Sequence, residues 1–201
     1  MHQRGGLIIE DDYDSELRYT TRPIPALQGL DRYDSVVYLG TFAKSLSPAI
    51  RVGYIVLPQW LLASYKESYD AHFAKVSLST QKTLALFMSE GHYDRHIRKM
   101  RTLNRKKHDL MRNTLKTTLG DTMRIVSEGG GLSILIHPAV PFNWEKFKRL
   151  SEESGIKIYL AKERCGGEFE AVRMGFGGLS EKEILEGAKV FGKVWMKAIY
   201  K

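Results

Sequence analysis

The sequence predicts an α/β fold. Three short apolar runs, each ending in polar residues, read as buried strands; helical periodicity runs between and after them; and a second series of short strands and helices follows residue 120. A length of 201 residues allows one ordinary domain or two small ones.

The first strand is Leu7 to Asp12, an apolar run that ends in Glu10, Asp11 and Asp12. Val36 to Gly40 is the second and Arg51 to Pro58 the third. Their apolar content predicts burial on both faces, as in a covered sheet, with ligands at the polar strand ends. Helices are expected over 60–74 and 80–88, then over a long stretch from about His92 to Leu119. Ile97, Met100, Leu103, Leu110, Met111 and Leu115 lie at or near helical spacing there, opposite a face dense in Arg and Lys. Gly120-Asp121 ends that helix. Strands follow over 123–126 and 132–137 around Gly129-Gly130-Gly131, a helix over 144–154 stopped by Gly155, and strands over 156–160 and 171–176. Ser180 with Glu183 three residues on is a capping-box signature, opening a last helix to about Ile199. The domain boundary is placed inside the long helix, near residues 95–105.

Hydrophobic residues at 43%, charged residues at 27% and 6 prolines exclude a disordered chain. The single cysteine, Cys165, excludes an intrachain disulfide framework and suits a reducing compartment. No secretory leader and no run of roughly 18 apolar residues is present, so the chain reads as cytoplasmic, without a membrane partner. A net charge of +8 permits nucleic acid, an anionic surface or anionic ligands without choosing among them. His72, His92 and His96 have no metal-ligand spacing with cysteines or carboxylates, and no metal site is expected.

One segment carries chemistry: Gly40-Thr41-Phe42-Ala43-Lys44-Ser45-Leu46-Ser47-Pro48. A lysine amine that loses its proton near other cations can form an imine with an aldehyde. Thr41 offers a hydroxyl and Arg51 a guanidinium, and both suit a phosphate. Asp11 offers an anion for a pyridine nitrogen, and Tyr13 a hydrogen bond for a ring hydroxyl oxygen. Together these residues point to pyridoxal 5'-phosphate (PLP), whose protonated ring nitrogen lets the ring act as an electron sink.

The run Ile9-Glu10-Asp11-Asp12-Tyr13-Asp14-Ser15-Glu16-Leu17-Arg18-Tyr19 closely resembles a motif of the MocR/GabR family, GntR-type transcription regulators whose effector domain is a fold type I aminotransferase. The resemblance continues through Pro25 to Asp31, Val37 to Pro48, Arg51 to Tyr54, Gly91 to Arg98 and Val172 to Phe176. It implies the C-terminal part of a fold type I PLP-dependent transferase: 1–98 as part of the large-domain sheet, and 99–201 as the small α+β C-terminal domain. It implies Lys44 as the internal-aldimine lysine, with Asp11, Tyr13, Thr41 and Arg51 as cofactor ligands. Arg173 is implied as the arginine that grips a substrate carboxylate, a task that suits its bidentate fork. Ser133 stands where the family often has a histidine, and Asn104 where an aromatic is common.

Family members also carry an N-terminal winged helix, a linker and the first part of the large domain, none of which precedes Met1. The sequence reading therefore expects a fragment that exposes sheet edges and associates, as a homodimer or with a missing N-terminal half. DNA would be reached only through the absent winged helix. Three functions are open. The chain is a sensor that binds PLP and a small amino compound or amino acid as effector, an aminotransferase passing an amino group to a 2-oxo acid, or an inert remnant. The basic face of the long helix adds the option of phosphate-backbone contact.

Overall fold

The computed structural model describes residues 6–19, 24–69, 76–127, 129–162 and 170–200. His72 and Cys165 lie outside them. The chain divides into two compact units, Met1–Met100 and Arg101–Lys201.

The first unit holds β1 (Ile8–Asp12), α1 (Leu27–Leu30), β2 (Val36–Thr41), α2 (Phe42–Ser45), β3 (Gly53–Val56), α3 (Leu61–Tyr69) and α4 (Leu78–Ser89). It also holds the first turns of α5 (His92–Leu119). Its sheet has the order β1-β2-β3. β1 runs parallel to β2, from Ile8 opposite Val36 to Asp12 opposite Gly40. β3 runs antiparallel to β2, with Thr41 opposite Gly53. Burial of the sheet departs from the sequence reading. Val36 and Val37 are buried, but Ile9 is 69% exposed and all four residues of β3 are exposed. An apolar run shows that a strand can be covered, and coverage needs a partner layer, which β3 lacks among the described residues. β3 is also shorter than expected. Arg51 leaves the extended region for left-handed backbone (φ 51, ψ 34), and the ladder starts only at Gly53.

α5 takes the bounds that its apolar stripe and flanking glycines suggest. Gly91 (φ 72) and Gly120 (φ 52) bracket it in conformations that a side chain would strain.

The second unit holds the rest of α5, then β4 (Met123–Ser127), β5 (Ser133–Pro138), α6 (Trp144–Glu153), β6 (Tyr159–Lys162), β7 (Glu170–Gly175) and α7 (Glu181–Ala198). Its sheet is antiparallel throughout, in the order β4-β5-β7-β6. β6 begins three residues later than the sequence suggests. Gly155 (φ 70) ends α6, the Ile156 N–H turns back to the Ser151 carbonyl at 2.8 Å, and pairing with β7 starts only at Tyr159. The core is an aromatic cluster. Phe147, Phe191 and Trp195 are at most 1% exposed, and the Phe142 ring lies 4.5 Å from that of Trp195. Ile134, Ile136, Ala171 and Val172 supply the sheet side, and Met111, Leu115 and Leu119 the α5 side. Trp195 keeps its indole N–H satisfied by donating to the Thr122 hydroxyl at 3.1 Å. α7 opens with the expected capping box: Ser180 Oγ accepts from the Glu183 N–H, and Glu183 accepts from the Ser180 N–H at 2.7 Å. Those bonds hold the Glu183 carboxyl below its ordinary pKa.

Candidate functional site

The candidate residues of the first unit gather around the carboxyl ends of β1 and β2. In a parallel pair, that end is where open α/β sheets place ligands. Asp11 lies opposite Leu39. Because side chains alternate, Asp11, Leu39 and Thr41 share one face of the pair. Asp12, Tyr38 and Gly40 share the other. Tyr13 follows β1 and is 47% exposed.

Thr41 ends β2 and caps the next turn. Its hydroxyl accepts from the Ala43 N–H at 3.1 Å and donates to the Val52 carbonyl at 3.2 Å. The Phe42 N–H reaches the same carbonyl at 3.0 Å. Thr41 is thereby tied to the residue beside Arg51. Lys44 is the third residue of α2 and is exposed. The Leu46 N–H closes its turn on the Phe42 carbonyl at 2.9 Å. Arg51 is exposed and holds a left-handed backbone that few non-glycine residues adopt. Such backbone costs about 1–2 kcal/mol and tends to persist where a site needs it. The Asp11, Tyr13, Lys44 and Arg51 side chains have no hydrogen-bond or ion-pair partner among the described residues.

Arg173 belongs to the second unit. It is exposed on β7, opposite Leu135 on one side and Tyr159 on the other. Its Nη1 lies 3.5 Å from the Ser133 hydroxyl. Ser133, notable in the sequence only as a departure from the family's histidine, therefore touches this arginine.

Sequence reasoning missed the supports behind these residues. Ser45 is 1% exposed and immediately follows Lys44. Tyr93 Oη lies 3.1 Å from Ser45 Oγ and donates its single proton to a Glu16 carboxylate oxygen at 3.3 Å. His96 Nε2 meets the Ser45 carbonyl at 2.9 Å. Burial, with the Glu16 charge adding to it, pushes the Tyr93 phenol up to about 12. On the other face, Tyr38 Oη donates to Asp12 at 3.0 Å. Burial and that bond raise its pKa. The Tyr54 ring sits against Gly40, where a β-carbon would clash with it. The Phe42 ring then packs 5.3 Å from Tyr54 and 5.9 Å from Tyr93. No local pattern announces these contacts, because their partners lie tens of residues apart in sequence. His92 is engaged by Glu90 at 3.1 Å and Arg95 at 2.7 Å, and no metal-binding cluster exists among the described residues. No described helix is long and apolar enough to cross a membrane.

Comparison with known proteins matches residues 2–191 to the family Aminotransferase class I and II. The HTH-type transcriptional regulator YdeL of Bacillus subtilis is 40% identical over 94% of this chain and 41% of its own length. The probable rhizopine catabolism regulatory protein MocR of Rhizobium meliloti is 33% identical over 90% of this chain and 37% of its own. The chain thus spans about two fifths of the length of these relatives. Among solved structures, LysN, an α-aminoadipate aminotransferase from Thermus thermophilus, superposes with a TM-score of 0.82 at 25% identity, covering 97% of this chain and 51% of that one. A multiple substrate aminotransferase from Thermococcus profundus gives 0.82 at 22% identity, covering 95% and 48%, and speaks for the fold alone. The cofactor that the family match and these neighbours imply is PLP. A fold type I α/β architecture and an Aminotransferase class I and II match along nearly the whole chain agree, with similarity to part of MocR-type regulators beside them: the chain belongs to the class I and II aminotransferase family.

Proposed function

We propose that this chain is the cofactor-holding and effector-recognising part of a MocR-type transcription regulator. In this reading 1–98 is the C-terminal part of the PLP-binding large domain and 99–201 is the small domain. The observation that carries it is the edge of the β1–β2 pair. There Asp11 shares a face with Thr41, Thr41 caps the Lys44 turn, and the Thr41 hydroxyl is bound to the carbonyl next to Arg51.

The donor set fits PLP. An anion, a phenol, an amine and a guanidinium stand with no protein partner among the described residues, and the strained backbone at Arg51 is of the kind found at ligand clamps. Bound there, PLP supplies an electron sink for chemistry at an amino carbon. Lys44 offers its amine as the covalent anchor. Asp11 holds a proton on the ring nitrogen by charge, and Tyr13 donates to the ring oxygen. Arg51 is the main phosphate ligand. The Thr41 hydroxyl already gives its proton to Val52, so it serves the phosphate only by exchanging that bond. Arg173 takes the carboxylate of a small amino compound or amino acid, and the nearby Ser133 hydroxyl orients its fork. Self-association and a cytoplasmic setting belong to the same proposal.

The test is a titration of the purified chain with PLP, followed by visible absorbance. A band that develops in the wild type and is missing in Lys44→Ala supports the reading. Equal spectra from the two would sink it. Addition of amino acids then separates functions: release of a 2-oxo acid identifies an aminotransferase, while a spectral change without release identifies a sensor.

A further inference from the structure

α5 holds almost all of the net charge of the chain. Its 28 residues carry nine basic side chains against Asp94 and Asp109, whereas the rest of the sequence is balanced to within one charge. α6 and the first turns of α7 are built differently, while farther along α7 Lys189, Lys193 and Lys197 are exposed with no ion pair among the described residues. α6 pairs Lys148 with Glu145 at 2.7 Å and Arg149 with Glu153 at 3.1 Å, and α7 sets Lys182 by Glu186 at 3.9 Å. A surface helix that only needs solubility interleaves its signs in that way. Within the second unit, Arg105, Lys106 and Lys116 of α5 are exposed and have no ion pair among the described residues. The opposite stripe, Asn104, His108, Met111 and Leu115, is buried, so the face on which these cations stand is fixed.

Helical geometry puts Arg105 and Lys116 close to one line along that face, about 17 Å apart. Duplex DNA carries one negative charge per roughly 1.7 Å of axis, so a length of about 17 Å holds on the order of ten phosphate charges, a part of which faces the helix. Exposed Asp109 lies between Arg105 and Lys116 on that face and Lys106 stands about a quarter turn round, so three cations outnumber one carboxylate there. Cations strung along a helix suit such a target better than a small anion, which needs converging donors.

We propose that the outward face of α5 in the second unit is a contact surface for the phosphate backbone of duplex DNA, separate from any winged helix. The choice of DNA among anionic surfaces rests on the regulator reading above.

The experiment is fluorescence anisotropy of a labelled, short, random-sequence duplex across a salt series. Three chains are compared: wild type, R105E/K106E/K116E, and K189E/K193E/K197E, which makes the same charge change on exposed lysines of α7. The α5 variant should bind at least about tenfold more weakly, with a log-log salt slope flatter by roughly 2 to 3, since each phosphate contact contributes about 0.9. The α7 variant should stay within about twofold of wild type after the mild cost of lost net charge. Equal loss in both variants, or no loss in the α5 variant, overturns the proposal. So does tighter, α5-dependent binding to phosphatidylserine vesicles than to the duplex. R105Q/K106Q/K116Q serves if the reversed variant fails to fold, and should show the same direction. A chain that develops the Lys44-dependent band yet ignores the duplex refutes this proposal alone and leaves the cofactor reading standing.

Discussion

The two units spend their apolar residues differently. The second folds them inward: Phe147, Phe176, Phe191 and Trp195 are at most 1% exposed. The first leaves Ile9, Tyr54, Ile55, Val56 and Trp60 between 39% and 69% exposed, and its order comes from hydrogen bonds such as those converging on Ser45. Burial at about 25 cal/mol per Å2 outweighs isolated hydrogen bonds worth about 1 kcal/mol each. The second unit is therefore held by its own core, and the first leans on hydrogen bonds and leaves apolar surface exposed.

That contrast can be broken by substitution. The largest effect belongs to Trp195→Ala, which should cost about 3–5 kcal/mol in urea unfolding of the second unit. Gly192→Ala should cost about 1–3 kcal/mol, because the added carbon would clash with Thr118 Cγ2. In the opposite direction, Asn104→Leu should stabilise by about 1–2 kcal/mol. Asn104 is 1% exposed and neither amide atom has a hydrogen-bond partner among the described residues. A destabilised Asn104→Leu chain would show that the amide has an essential role.

In the first unit, Tyr93→Phe should cost only about 1 kcal/mol, yet speed hydrogen exchange at the α2 amides. Tyr93 also gives a pH signature. Its folded pKa, about 12, lies above the ordinary 10.0, so the stabilisation is whole below pH 10 and fades as the pH rises toward 12. Protection at α2, corrected for the base-catalysed rise common to both chains, should fall across that window in the wild type and not in the phenylalanine variant. The smallest effect, within about 0.5 kcal/mol, is expected for Ile55→Thr on the exposed strand. A loss of several kcal/mol there would mean that β3 is covered in solution, and the contrast between the units would fall.

The same contrast explains what the sequence made legible. α5 and α7 were readable because their signals are local: an apolar stripe closed by Gly120-Asp121 in one, and a serine three residues from a glutamate at the start of the other. Lys44, Thr41 and Asp11 stand out in the sequence as a motif and Arg173 only through a resemblance, and their roles belong to the proposal above. The exposure of β3 was not, since a strand's own residues do not say whether a second layer covers it. Nor was the Tyr93–Ser45–His96 arrangement, which joins positions 48 and 51 residues apart. His96, weighed in the sequence only as a metal ligand, turns out to hold the backbone beside Lys44.

The Tyr54 ring packed on Gly40 has an evolutionary consequence. The ring occupies the space of a missing side chain, so neither position is free to drift alone. An alanine at 40 displaces the ring from Tyr38 and Phe42, and a small residue at 54 leaves a hollow over bare backbone. Among related sequences the two sites should therefore covary, glycine accompanying the aromatic and a larger residue at 40 accompanying a smaller one at 54. Such a paired signature would record how closely this strand edge has been shaped around the turn that bears Lys44.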